Sequence, residues 1–131
     1  MDALAWFHTH KTTEAVAYQN PVVIIHAGDA FRDSTLHILL QTLSTTRIYP
    51  PGTILIGTVH TLDNLVHIST TICGASHASL FTATLSQLFP PQPFAPDQPH
   101  ILHTRIPQEK EEAFLKQLTN TLSGHITPKT Q

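Results

Sequence analysis

The hydrophobic period of this chain changes at Cys73-Gly74, and that change constrains the fold more than any other feature. Upstream, Leu65 to Ile72 alternates Val66 and Ile68 with polar residues and runs into a Thr-rich end, the two-residue period of a strand. Downstream, Leu80, Phe81, Leu85, Leu88 and Phe89 fall along one helical stripe, which predicts a helix from about Ala75 to Phe89. A chain that carries both periods is a mixed α/β protein.

The other segments divide the same way. Thr53 to His60 reads as a strand with Ile54, Ile56 and Thr58 on one face and Leu55, Gly57 and Val59 on the other, so both of its faces can be covered. Asp63-Asn64 supplies a turn that makes a hairpin with Leu65 to Ile72. Near the start, Leu4 to His10 mixes Trp6 and Phe7 with Thr and His. Glu14 to Tyr18 and the β-branched run Val22 to His26 then flank Asn20-Pro21 and read as two paired strands, the second ended by Gly28-Asp29. His100 to Ile106 is a further short strand, and Glu109, Glu111 and Glu112 load the first turn of a last helix reaching Ser123. Its stripe is Phe114, Leu115, Leu118 and Leu122, and we place Leu85, Leu88, Phe114 and Leu118 in the core.

Ser34 to Leu43 supports two readings, because Leu36, Leu39, Leu40 and Leu43 keep helical spacing while Leu36, Ile38 and Leu40 also alternate. The pattern favours helix, with Asp33 or Ser34 as its cap, whereas Ile38 and the Thr-rich ends suit a strand. Five of the ten prolines lie between Pro90 and Pro99, which makes that stretch a stiff, exposed connector within the domain. The expected architecture is therefore one α/β domain over residues 1–124 with a polar tail, 125–131. It has a mostly antiparallel sheet and both C-terminal-half helices on one face.

Charged residues make up only 12% of the 131, about half the usual share, and a surface so short of charge favours association. The net charge of -2 lacks the basic footprint that draws proteins to nucleic acid or anionic lipid, so neither is expected as a partner. Lone Cys73 makes no internal bridge, which points to a reducing compartment, cytoplasm or nucleus. No stretch approaches the ~20 apolar residues that span a bilayer, and no secretory leader is evident.

Residues able to carry chemistry are scattered. His8 and His10 would share a strand face, but no acid sits near them, and His26, His37, His60, His67, His77, His100, His103 and His125 show no ligand spacing, so no metal is expected. Cys73 is the one candidate nucleophile, with His77, His103 or His125 as a base. The plainer reading is a small apolar residue closing a strand. Asp2, Glu14, Asp29, Asp33, Asp63 and Asp97 are dispersed and form no recognisable acid/base pair. The five glycines match no phosphate-cradling motif, so no cofactor is expected.

Two stretches resemble known families. Thr12 to Leu43 looks like the early β region of the small proteasome assembly chaperones, the third and fourth members of that group. Val66 to Leu88, VHISTTICGASHASLFTATLSQL, resembles their strand, Ser/Thr-Leu-Leu-Gly and helix, with Gly74 as the glycine and Ile72-Cys73 in place of the leucine pair. His100 to Leu122 looks like their final strand and helix. The resemblance calls for a strand at Ser34 to Leu43 and a shorter connector. It implies a protein without enzymatic activity that pairs with a similarly sized subunit and helps order the α-subunit ring of the 20S proteasome. Val22, Ile24, Ile54, Ile56 and Gly74 are then the candidate interaction residues. Gly57 to Val66 separately resembles the first Sm motif, although His67 stands where that family stacks an asparagine on RNA bases and Ile106 follows Arg105 in place of a glycine. The expectation is a non-catalytic interaction module, with a cysteine hydrolase using Cys73 or an Sm-like domain as alternatives.

Overall fold

The computed structural model describes residues 5, 13–17, 20–30, 32–46, 49–74, 78–89 and 101–123. The elements run β1 (Thr13–Ala17), β2 (Asn20–Gly28), α1 (Asp33–Thr45), β3 (Ile54–His60), β4 (Leu65–Ile72), α2 (Ala78–Thr84), β5 (Leu102–Pro107) and α3 (Glu111–Ser123). Five strands pair in sequence order, antiparallel everywhere except between β2 and β3. Those two run parallel because α1 intervenes and carries the chain back along the sheet, as a parallel pair requires. Residues Leu4, Trp6–His10, His77, Pro90–His100 and the tail lie outside the described residues, and with them most of the first segment, the proline-rich connector and five of the histidines.

Strand β3 is buried on both faces, and the sheet is sandwiched accordingly. Val22, Ile54, Ile56, Val66, Ile68, Ile72 and Leu102 point to one side, where Phe81, Leu85 and Phe89 and then Leu115 and Leu118 of α3 cover them. Leu85 and Leu118 have zero exposure, while Leu88 and Phe114 are partly buried against the same cluster. Opposite, Val23, Ile25, Leu55, Val59 and Cys73 meet Leu36, Leu39, Leu40 and Leu43 of α1. The two later helices thus share one face and α1 covers the other.

This second layer decides the ambiguous segment. Burying four leucines is worth roughly 6–12 kcal/mol of transfer free energy, against a few tenths per residue for the reluctance of Ile and Thr to enter helices. Helical spacing sends Ile38 outward, 60% exposed, where strand alternation would have kept it beside Leu36 and Leu40. The segment is therefore a helix, where the chaperone resemblance calls for a strand. Neither expected cap operates as such: Arg32 occupies the N-cap without a side-chain bond, and the Asp33 carboxylate accepts from the Ser34 N–H at 2.8 Å.

The helix expected from Ala75 is α-helical over Ala78–Thr84 and then tightens, with bonds such as Leu88 N–H to Leu85 C=O at 3.0 Å carrying the winding to Phe89. Helix α3 follows a single 3-10 turn at Gln108–Lys110. Asp63 and Asn64 both adopt positive φ, 64° and 59°, and the Leu65 N–H bonds back to Leu62, the primed two-residue turn that matches strand twist.

Of the candidate interaction residues, Val22, Ile54 and Ile56 have zero exposure and Ile24 packs against the same cluster, because the chain's own helices cover that face. Val22, Ile54 and Ile56 offer no surface to another protein, and Ile24 offers only part of one. Strand β3 is also paired along both edges, and β2 is paired with β3 on one edge and over Asn20 to Ile24 with β1 on the other. Gly74 is exposed and holds φ 86° against Pro51, a turn conformation that suits glycine.

Layer spacing over β3 depends on Gly57, since an added Cβ would lie 2.5 Å from Leu36 Cδ1. Replacing Gly57 by Val should overpack this contact and cost about 1–3 kcal/mol in urea denaturation. Ile38→Ser, on the outer face of α1, should stay within about 0.5 kcal/mol. Equal effects would remove α1 from the sheet.

Candidate functional site

Parallel pairing brings the C-terminal ends of β2 and β3 side by side, and α1 and α3 both begin at that end of the sheet. Side chains far apart in sequence meet there. In open sheets with parallel strands such an end is the usual place for a binding crevice.

On the α1 side, Asp33 stands in the first helical turn, where a negative charge suits the helix dipole. Its Oδ2 accepts a 2.7 Å hydrogen bond from Arg105 Nη2 of β5. That bond, with the Ser34 N–H and nearby charge, holds the Asp33 carboxyl below the usual carboxylate range. His67 of β4 lies beneath α1, its Nδ1 3.8 Å from the same Oδ2, too far for a hydrogen bond. The His67 ring stacks on His103 with centroids 5.3 Å apart. Burial, reinforced by the charges of His103, Arg105 and His37, holds the His67 pKa down to about 4 against the pull of Asp33, so this imidazole is neutral at pH 7. Burial lowers His103 as well.

Across the sheet, Glu111 at the start of α3 sits between two imidazoles, with His26 Nδ1 and His60 Nε2 each 3.6 Å from one of its oxygens. Asp29 lies 3.9 Å from the other nitrogen of His60. Two crevices open at this end. One of about 660 Å³ is lined by Asp29, Arg32, Asp33, His60, Thr61, Leu62, Asp63, Leu65 and Arg105. The other, of about 540 Å³, is lined by His26, Gln108, Glu109, Glu111, Glu112 and Leu115.

Two side chains that could supply a nucleophile, Ser69 and Cys73, are both buried. Ser69 shares the buried face with His67, but its Oγ is fully buried and has no hydrogen-bond partner, so no Ser-His-Asp relay runs through Asp33. Cys73 is 2% exposed in the core under α1, and burial pushes its thiol up to about 11. Its backbone extends the β3–β4 ladder, with Cys73 N–H donating to Thr53 at 2.8 Å. Of the bases that sequence offered it, His103 lies in the Asp33 cluster, and His77 and His125 are outside the described residues. Among the described residues, no three His, Cys, Asp or Glu side chains converge as a metal site. No protein-family model matches the chain, and no curated protein matches it in sequence.

In the sequence Asp29, Asp33 and Asp63 are dispersed. Their convergence with Glu109, Glu111 and Glu112 follows from the parallel β2–β3 pair, and the only trace in the sequence is that Asp29 and Asp63 each follow an apolar strand.

Because His67 carries its proton far less readily when folded than its ordinary 6.5, protons favour the unfolded chain between those values. Stability is therefore complete above about pH 6.5 and is lost as pH falls toward 4, by roughly 2 kcal/mol between pH 7 and pH 5. His103 adds in the same direction. Urea midpoints of the wild type should show this fall, and His67→Gln should flatten it. An unchanged pH slope in the variant would place the titration elsewhere.

Proposed function

We propose that this chain is a non-catalytic interaction subunit that pairs with a protein of similar size through the outer edge of its sheet. The observation that carries the reading is β5. Among the described residues no strand lies beyond it, so every second residue of Leu102–Pro107 turns its N–H and C=O away from β4. Edges of this kind take a partner strand by main-chain hydrogen bonds, and the low surface charge of the chain does little to oppose it.

A more specific form, an assembly chaperone of the proteasome α ring, is supported by the order of elements where the resemblance lies: strand, glycine in a turn, helix, then final strand and helix. The helical segment Asp33–Thr45 stands against it. A protonated, buried Cys73 supports a role without thiol chemistry and fits a reducing compartment such as the cytoplasm or nucleus. Among the described residues no helix is long and apolar enough to cross a membrane. The Sm-like alternative gains nothing from the structure, since the β4 face bearing His67 lies under α1 and offers no platform for bases.

The protein isolated under native conditions from its host should show, by light scattering, the mass of two chains and should bind purified proteasome α subunits. A single-chain mass at every concentration, with no α subunit bound, would contradict the proposal. Cys73 should react with iodoacetamide at neutral pH about a hundredfold more slowly than free cysteine, in step with its depleted thiolate. Faster reaction would revive the hydrolase.

A further inference from the structure

Strand pairing at β5 leaves the larger crevice, with Leu62 at its rim, unexplained. Leu62 is 85% exposed, and the turn formed by Asp63 and Asn64 in left-handed conformation holds it outward. The walls of the two adjoining crevices hold six of the nine acidic residues, Asp29, Asp33, Asp63, Glu109, Glu111 and Glu112. Only Arg32 and Arg105 in those walls and neighbouring Lys110 oppose them, an excess of three negative charges that exceeds the whole chain's -2. All the net negative charge is therefore concentrated at this end. Asp33 and Arg105 neutralise each other at 2.7 Å. Asp29 has its side chain 91% exposed and, among the charged groups of the described residues, pairs with His60 at 3.9 Å, and Asp63 is exposed as well.

We propose that the Leu62 crevice docks an extended, basic segment of a partner protein, one that carries Lys or Arg on both sides of an apolar residue. The apolar side chain packs on Leu62 and Leu65, which supply the hydrophobic part of the wall, while the flanking cations meet Asp29 and Asp63. An anionic ligand does not fit, because the Asp33 carboxylate already occupies the start of α1 where an anion would bind. Electrostatic complementarity of this sort speeds encounter and sets orientation, and it weakens with salt. The proposal rests on the reading of the chain as an interaction subunit, but it concerns the crevice and not the main-chain edge of β5.

The probe is a fluorescein-labelled peptide of sequence Arg-Lys-Leu-Arg-Lys, with Glu-Asp-Leu-Glu-Asp as its counterpart, followed by anisotropy on the full chain at low salt. The basic peptide should bind and the acidic one should not. The double variant Asp29→Asn/Asp63→Asn should weaken binding roughly fivefold to tenfold, as expected for two exposed charge pairs, and Leu62→Ser should weaken it too. All three side chains are exposed, so the variants should fold, and circular dichroism verifies that they do. Gln117→Ala, on α3 away from the crevice, should leave binding unchanged. Equal binding of the two peptides, or an unaltered affinity in the double variant, would overturn the proposal. Self-association that the double variant abolishes, with no peptide affinity, would also overturn it and make the occupant a second copy. The mass measured by light scattering for β5 pairing is a separate readout, so either proposal can fail alone.

Discussion

Burial of β3 on both faces is the constraint from which the rest of the structure follows. Every residue from Ile54 to Val59 is buried, so each face of the sheet needs its own cover. The cover over Leu55 and Val59 is α1, and its close approach is possible because Gly57 presents no side chain to Leu36. Once α1 lies on that face, the chain must return to the start of the sheet, and β2 and β3 have to run parallel. The opposite face, left open by this crossover, takes Phe81, Leu85, Phe89, Leu115 and Leu118.

Parallel pairing then creates the end at which the polar chemistry gathers. The β2–α1 loop with the start of α1, the β3–β4 turn and the start of α3 all project from the same edge of the core, and they bring carboxylates from these three regions together. Imidazoles gather around these carboxylates: His26 and His60 around Glu111, and neutral His67 beneath Asp33, whose charge Arg105 meets. The His67 Nδ1 remains without a hydrogen-bond partner, so this corner gives up polar satisfaction in the core that α1 otherwise completes.

Much of the architecture was legible in the sequence because it depends on local periods. The alternation of Val66 and Ile68, the stripes of Phe81, Leu85 and Phe89 and of Leu115 and Leu118, and the Asp63-Asn64 turn all predict their elements directly. Two-sided apolarity at Thr53 to Val59 also showed that both faces could be covered. What the sequence did not reveal depends on long-range pairing. Residues Val22, Ile24, Ile54 and Ile56 look like contact residues in an isolated strand, and only the position of α2 and α3 over them makes them core. The acidic end was likewise hidden, since Asp29 and Asp63 are neighbours only once β2 and β3 lie parallel.

The central claim is that α1 carries the chain across one face so that β2 and β3 pair in parallel. Backbone nuclear Overhauser contacts in the isotope-labelled protein test it most directly. The account predicts cross-strand contacts in parallel register between Val22 and Ile54, Ile24 and Ile56, and His26 and Thr58, together with contacts from Leu36 to Gly57. Antiparallel contacts between these strands, or contacts from Leu36 and Leu40 to Phe81 and Leu118, would put α1 on the wrong face. They would dissolve the acidic end along with the sandwich.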